Sequence, residues 1–149
     1  MERITLKSLC AALLLLGAGA GQITAQPILR LPSIIGDHMV LQENSNVKIW
    51  GWAEPNKEVL IIPSWSQDTV RTKSTGDTKW LASIQTPAAD NRTYTLTVQT
   101  QQRKIEVKDI LVGQVWLCGG QSNMNYSAAQ GITDMQEELQ KPMNPTIRL

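Results

Sequence analysis

Between residues 27 and 109 the chain alternates in polarity with the period of a strand and never with the three-to-four spacing of a helix. The run Tyr94-Thr95-Leu96-Thr97-Val98-Gln99 is the clearest case, with Tyr94, Leu96 and Val98 set against Thr95, Thr97 and Gln99. Successive side chains of a strand point to opposite faces, so this alternation specifies one buried and one wet face. Ile105 and Val107, set against Glu106 and Lys108, continue it, and Val47 and Ile49 flank Lys48 at the head of residues 47–53. Residues 39–42, 58–65, 69–74 and 79–84 are further short segments rich in β-branched and aromatic side chains. Turn formers separate them: Glu54-Pro55-Asn56, Ser74-Thr75-Gly76-Asp77 and Pro87-Ala88-Ala89-Asp90-Asn91. Many short strands at this spacing predict a β-sandwich over residues 26–109. Phe is absent, so the five tryptophans (Trp50, Trp52, Trp65, Trp80, Trp116) are expected mostly in the core, with sugar stacking by an exposed one as the alternative.

The character changes at Asp109. Residues 110–118 are almost continuously apolar, which reads as a strand buried on both faces, and Cys118 at its end reads as a small buried hydrophobe. Residues 133–140 have helical character, with Thr133 as N-cap, Gln136 three residues on, and Pro142 and Pro145 beyond the end. Thr146-Ile147-Arg148-Leu149 reads as the start of another strand. Strand, loop, helix and strand start are the opening of an α/β domain. One such unit cannot cover both faces of its own strands, so residues 110–149 read as the incomplete start of a domain.

The N-terminus has the order of an export signal: Arg3 and Lys7, an apolar stretch from 9 to 20, then Ile23-Thr24-Ala25 before a cut at Gln26. Residues 1–25 are therefore expected to be removed, giving a secreted or periplasmic chain with no membrane association. Without Glu2, Arg3 and Lys7 the chain carries twelve basic and twelve acidic residues. That balance, with no basic stripe, argues against nucleic acid as a partner. The mature chain keeps one cysteine, which cannot form an internal disulfide. No cluster of His, Cys or carboxylates suggests a metal, and no cofactor is implied.

The chemistry concentrates after the apolar run, at Cys118-Gly119-Gly120-Gln121-Ser122-Asn123-Met124. A serine at the end of a buried strand is well placed as a nucleophile, and two glycines permit a tight backbone path beside it. Met124 stands where a G-x-S-x-G elbow needs its second glycine, and no Gly-Lys-Ser/Thr follows, so neither that elbow nor a phosphate loop fits. On spacing alone a turn serine and a nucleophile both remain open.

Residues 109–124 closely resemble the nucleophile segment of the sialate O-acetylesterase family, within the SGNH (GDSL-like) hydrolases. Residues 31–42 and 47–55 are similar to that family's N-terminal β-domain. The resemblance implies a flavodoxin-like three-layer hydrolase domain beginning after the sandwich, with Ser122 attacking acetyl esters on sugars. It implies support of the oxyanion or the loop by Gly120, Gln121 and Asn123, and an O-acetylated carbohydrate as the partner. Gly119 replaces the family's usual serine, and Asn125-Tyr126-Ser127 stands where an acidic or aromatic residue is usual. Family members are several times longer and carry a late Asp and His that complete a triad. The chain is accordingly expected to be an N-terminal portion with little esterase activity of its own.

His38 is the sole histidine. It lies in a turn of the sandwich, some eighty residues before Ser122, and reads there as an accessory-domain residue rather than a base; Asp37 beside it reads as a turn former. A rival reading of the whole chain is a non-catalytic β-sandwich that binds carbohydrate or a protein partner.

Overall fold

A computed structural model describes residues 27–126, 135–142 and 144–148. The strands are β1 (Leu29–Arg30), β2 (Val40–Gln42), β3 (Asn46–Ala53), β4 (Glu58–Pro63), β5 (Val70–Lys73), β6 (Lys79–Gln85), β7 (Tyr94–Gln99) and β8 (Lys104–Gly113). A 3-10 turn at Ser122–Asn125 and a one-turn helix α1 at Met135–Glu138 follow. The strands form a three-stranded sheet, β1-β3-β6, and a five-stranded sheet, β2-β8-β7-β4-β5.

The two sheets share one core. Ile49, Ala53, Trp80, Ala82 and Ile84 come from the smaller sheet, and Leu41, Val59, Ile61, Leu96, Val98, Val107, Ile110 and Val112 from the larger. Alternation sets this directly: in β6, Trp80, Ala82 and Ile84 are buried while Lys79, Leu81, Ser83 and Gln85 are exposed. β7 repeats the pattern with Tyr94, Leu96 and Val98 inward. The seven segments read as strands of the sandwich all carry one; β1, two residues long, was too short to show a period.

Two buried hydroxyls fasten the turns. Thr86 Oγ1 donates towards the Gln42 and Ser45 carbonyls (2.7 and 3.0 Å) and accepts the Ser45 N–H at 3.0 Å. Ser74 Oγ donates to the Glu54 carbonyl at 2.5 Å and accepts the Lys57 N–H at 2.9 Å.

The apolar run after Asp109 departs from expectation. β8 ends at Gly113, and Val115, Trp116 and Leu117 lie outside any strand, 53%, 82% and 100% exposed. Cys118 is exposed too, not a buried hydrophobe. The physical reason is that pairing ends: β8 is last paired with β7 at Ile110 and with β2 at Gly113. In the antiparallel β7–β8 ladder Leu96 pairs with Val107 but Tyr94 pairs with Ile110, so β8 carries one extra residue there. Asp109 sits in that interval with φ 53°. Such a bulge moves the core-facing phase by one residue. Ile105 and Val107 face the core before it; Ile110 and Val112 face it afterwards. Leu111, 8% exposed, is buried on the face opposite Ile110 and Val112, so β8 is buried on both faces over 110–112, and only the continuation of the run beyond Gly113 is not.

Three further expectations change. Of the five tryptophans only Trp80 is fully buried; Trp50 and Trp116 are exposed, and Trp52 and Trp65 half-buried. Of the helix expected over 133–140, Met135–Glu138 are helical and residues 139–140 form a turn, while Thr133 and Asp134 lie outside the described residues. Residues 145–146 form a turn closed by the Ile147 N–H on the Asn144 carbonyl (3.2 Å), not a strand start. The expected signal over 1–25 also lies outside the described residues.

Candidate functional site

The segment bearing Ser122 leaves the sandwich at the end of β8 and is moored there by the turn after β2. β2 runs parallel to β8, with Val40, Leu41 and Gln42 opposite Leu111, Val112 and Gly113. Beyond the ladder the side chains take over. The Glu43 N–H donates to the Gly113 carbonyl (2.9 Å), and the Val115 N–H donates to Gln42 Oε1 (2.9 Å). Gln114 Nε2 donates to Glu43 Oε1 (2.7 Å), and the other Glu43 oxygen accepts the Ala89 N–H (3.0 Å). These bonds, the Ala89 N–H first and the Gln114 amide second, favour the charged carboxylate and hold Glu43 below its ordinary pKa. Thr86 grips the Gln42 carbonyl from below, so the mooring rests on a buried hydroxyl.

The serine heads a tight turn. Met124 N–H donates to the Gln121 carbonyl at 3.0 Å, and Ser122 begins the 3-10 turn. Gly119, Gly120, Gln121 and Ser122 are exposed, and Asn123 follows within the turn. A short helical turn leaves its first N–H groups unsatisfied, and the Ser122 N–H has no partner among the described residues. Neither glycine owes its place to a left-handed φ. A Cβ at Gly120 would sit 3.1 Å from Met124 Cγ, whereas one at Gly119 would meet open space. Gly120 is small because Met124 folds back onto it.

Gly120, Gln121, Ser122 and Asn123 are consecutive at this turn, but among the described residues no base is bonded to the serine. The Ser122 hydroxyl has no hydrogen-bond partner among the described residues. His38 is engaged elsewhere: its Nδ1 lies 2.5 Å from Asp109 Oδ2, across the bulge from the turn that carries it. Arg148 Nη2 donates to Asp109 Oδ1 at 2.9 Å, and its Nη1 donates to the Asp109 carbonyl. The His38 contact first and Arg148 second hold the Asp109 carboxyl below its usual range. Asp37 accepts the Lys108 N–H at 2.7 Å, so it pins its turn to β8 instead of only forming it. His38 (φ 67°) and Asp109 (φ 53°) are both left-handed, which presses these two loops together.

Gln42, Glu43 and Thr86, which position the serine segment, carry no signal in the sequence. Each acts on residues 41 to 73 positions away, through a polar contact that only the folded topology creates. Among the described residues no group of His, Cys, Asp or Glu is arranged to hold a metal ion.

The chain is 33% identical over 119 residues to a sialate O-acetylesterase of Mus musculus, covering 74% of this chain and 22% of that protein. It is 34% identical over 111 residues to the sialate O-acetylesterase of Homo sapiens, covering 68% and 21%. Among solved structures it is similar to a carbohydrate acetylesterase from Xanthomonas citri, with a TM-score of 0.69 and 30% identity over 80% of this chain and 26% of that one. No family model matches. The chain thus spans about a fifth of the length of the curated relatives it matches.

Proposed function

This chain belongs to the sialate O-acetylesterase family, and on that premise we propose that Ser122 is the nucleophile of a carbohydrate O-acetylesterase. The observation that carries the reading is the exposed serine at the head of a turn, with neither its hydroxyl nor its N–H partnered among the described residues. Ser122 Oγ adds to the acetyl carbonyl carbon as its proton passes to a base. The carbonyl oxygen takes the negative charge between the N–H groups of Ser122 and Asn123. Collapse of that adduct expels the sugar oxygen, which leaves with the proton as a hydroxyl. Water then attacks the acetyl-serine by the same route, releasing acetate and restoring Ser122. Gly120 and Gln121 shape the turn, and no cofactor enters.

Residues 110–149 serve here as the opening of an SGNH-type α/β hydrolase domain, and the residues of the export-signal pattern direct the chain out of the cytoplasm. The substrate is an O-acetylated sugar, sialic acid or a relative of it. The one imidazole of the chain is held by Asp109 on another loop, so the chain alone acylates slowly and turns over little.

Two measurements test this. p-Nitrophenyl acetate turnover by the chain is expected within about twofold of a Ser122→Ala control; turnover well above the control ends the claim of inactivity. On prolonged incubation an acetyl group is expected to accumulate on Ser122 ahead of the other serines, read by peptide mass spectrometry. Acetylation of other serines with Ser122 unmodified removes it as the nucleophile.

A further inference from the structure

The smaller sheet turns an aromatic face outward that no described part of the chain covers. In β3 the inward positions are Ile49, Gly51 and Ala53, which places Trp50 and Trp52 side by side on the outer face. Two strand positions separate them by about 6.8 Å at 3.4 Å per residue, comparable with the length of one hexose unit. Across the ladder Trp50 pairs with Leu81 and Trp52 with Lys79. Trp50 is 40% exposed and Leu81 55%. β5 closes one side, fixed by the Thr72 hydroxyl donating to the Leu81 carbonyl at 2.9 Å. On the other, the Arg30 guanidinium lies 5.7 Å from the Trp52 ring centroid and braces the indole. Between them is an open basin of about 620 Å³, lined by Trp50, Trp52, Leu81, Thr72, Lys73 and Lys79 among others.

The charge of the basin selects its occupant. None of its lining residues carries a carboxylate. Lys73 and Lys79 have no acidic partner among the described residues. Flat indole faces meet the C–H faces of pyranose rings, and unpaired ammonium groups at the rim meet an anion. We propose that this basin is a saccharide-binding site, separate from the Ser122 turn, for an oligosaccharide that carries a carboxylate. A nucleic acid would need a longer basic stripe than two lysines and an arginine. A two-fold pairing with a second copy would bring the same lysines of both copies to one interface, where like charges repel. The site stands whether or not Ser122 is a nucleophile.

The test is a titration of the full chain with trigalacturonate, and with neutral maltotriose as control, followed by the NMR signals of the indole N–H groups. Saturable shifts of the Trp50 and Trp52 signals at sub-millimolar trigalacturonate are expected, weakened by added salt, with maltotriose about tenfold weaker. Leu81→Glu, an exposed change that leaves the core intact, is expected to weaken trigalacturonate binding about tenfold or more, and Trp50→Ala likewise. Ser122→Ala is expected to leave it unchanged. Absence of shifts at Trp50 and Trp52, equal affinity for maltotriose, or loss of binding on Ser122→Ala would each overturn the proposal. So would concentration-dependent self-association that Leu81→Glu abolishes, since it assigns the face to a second copy.

Discussion

Val107 and Trp116 are large apolar side chains nine residues apart, yet the first is 2% exposed and the second 82%. The difference lies in what each segment has beside it. β8 is flanked by β7 on one edge and β2 on the other, and its inner face meets the opposing sheet. Residues 114–120 have no strand neighbour among the described residues and hold to the sandwich through Gln42 and Glu43. Burial follows from the partner surfaces that the topology supplies, not from the hydropathy of the run itself.

The sharpest way to break this contrast is to truncate matched side chains in the two regions. Leu96, fully buried at the middle of β7, is expected to cost about 3 kcal/mol on Leu96→Ala, from lost transfer energy and the cavity left behind. Leu117→Ala is expected to change stability by less than about 0.5 kcal/mol. Chemical denaturation measures both, and comparable losses at the two sites would show that the 114–120 segment is packed after all. A smaller effect tests the joint between the regions. Thr86→Val keeps the shape but strands the Gln42 and Ser45 groups, for about 1–3 kcal/mol. Hydrogen exchange at the Val115 N–H should quicken in the same variant, and unchanged exchange there would detach Thr86 from the mooring.

The smallest effect is electrostatic. Asp109 is held below its usual pKa by His38 and Arg148. Its contribution is therefore full above the ordinary aspartate range and is lost as the pH falls through the lowered value. Asp109→Asn, which tolerates the left-handed backbone, should flatten the acid limb of stability and leave its shape above about pH 5 alike. An unchanged acid limb would mean that the clamp contributes nothing.

The strands of the sandwich were legible because each is short, alternating and bounded by turn residues; residues 79–84 alone specify which of Trp80 and Leu81 goes in. The bulge at Asp109 was not legible, since nothing in Lys108-Asp109 marks an extra residue, and the apolar run that follows does not show that its pairing ends at Gly113. The tryptophans misled for a related reason. Large indoles favour burial in general, but parity along β3 assigned Trp50 and Trp52 to the outer face once Ile49 and Gly51 took the inner one. Ser122 was visible as a candidate from its glycine-rich setting, whereas Gln42, Glu43 and Thr86 became part of the site only through contacts between distant segments.

Those contacts also order the folding of the chain. The bonds that fix residues 114 and 115 join partners 71 and 73 positions apart, among the longest closures in the sandwich. Non-local contacts of this kind form late, after the intervening strands have paired. The serine turn is therefore presented only on a sandwich that has already closed, and a chain misassembled anywhere between β2 and β8 leaves Ser122 on an unanchored tail.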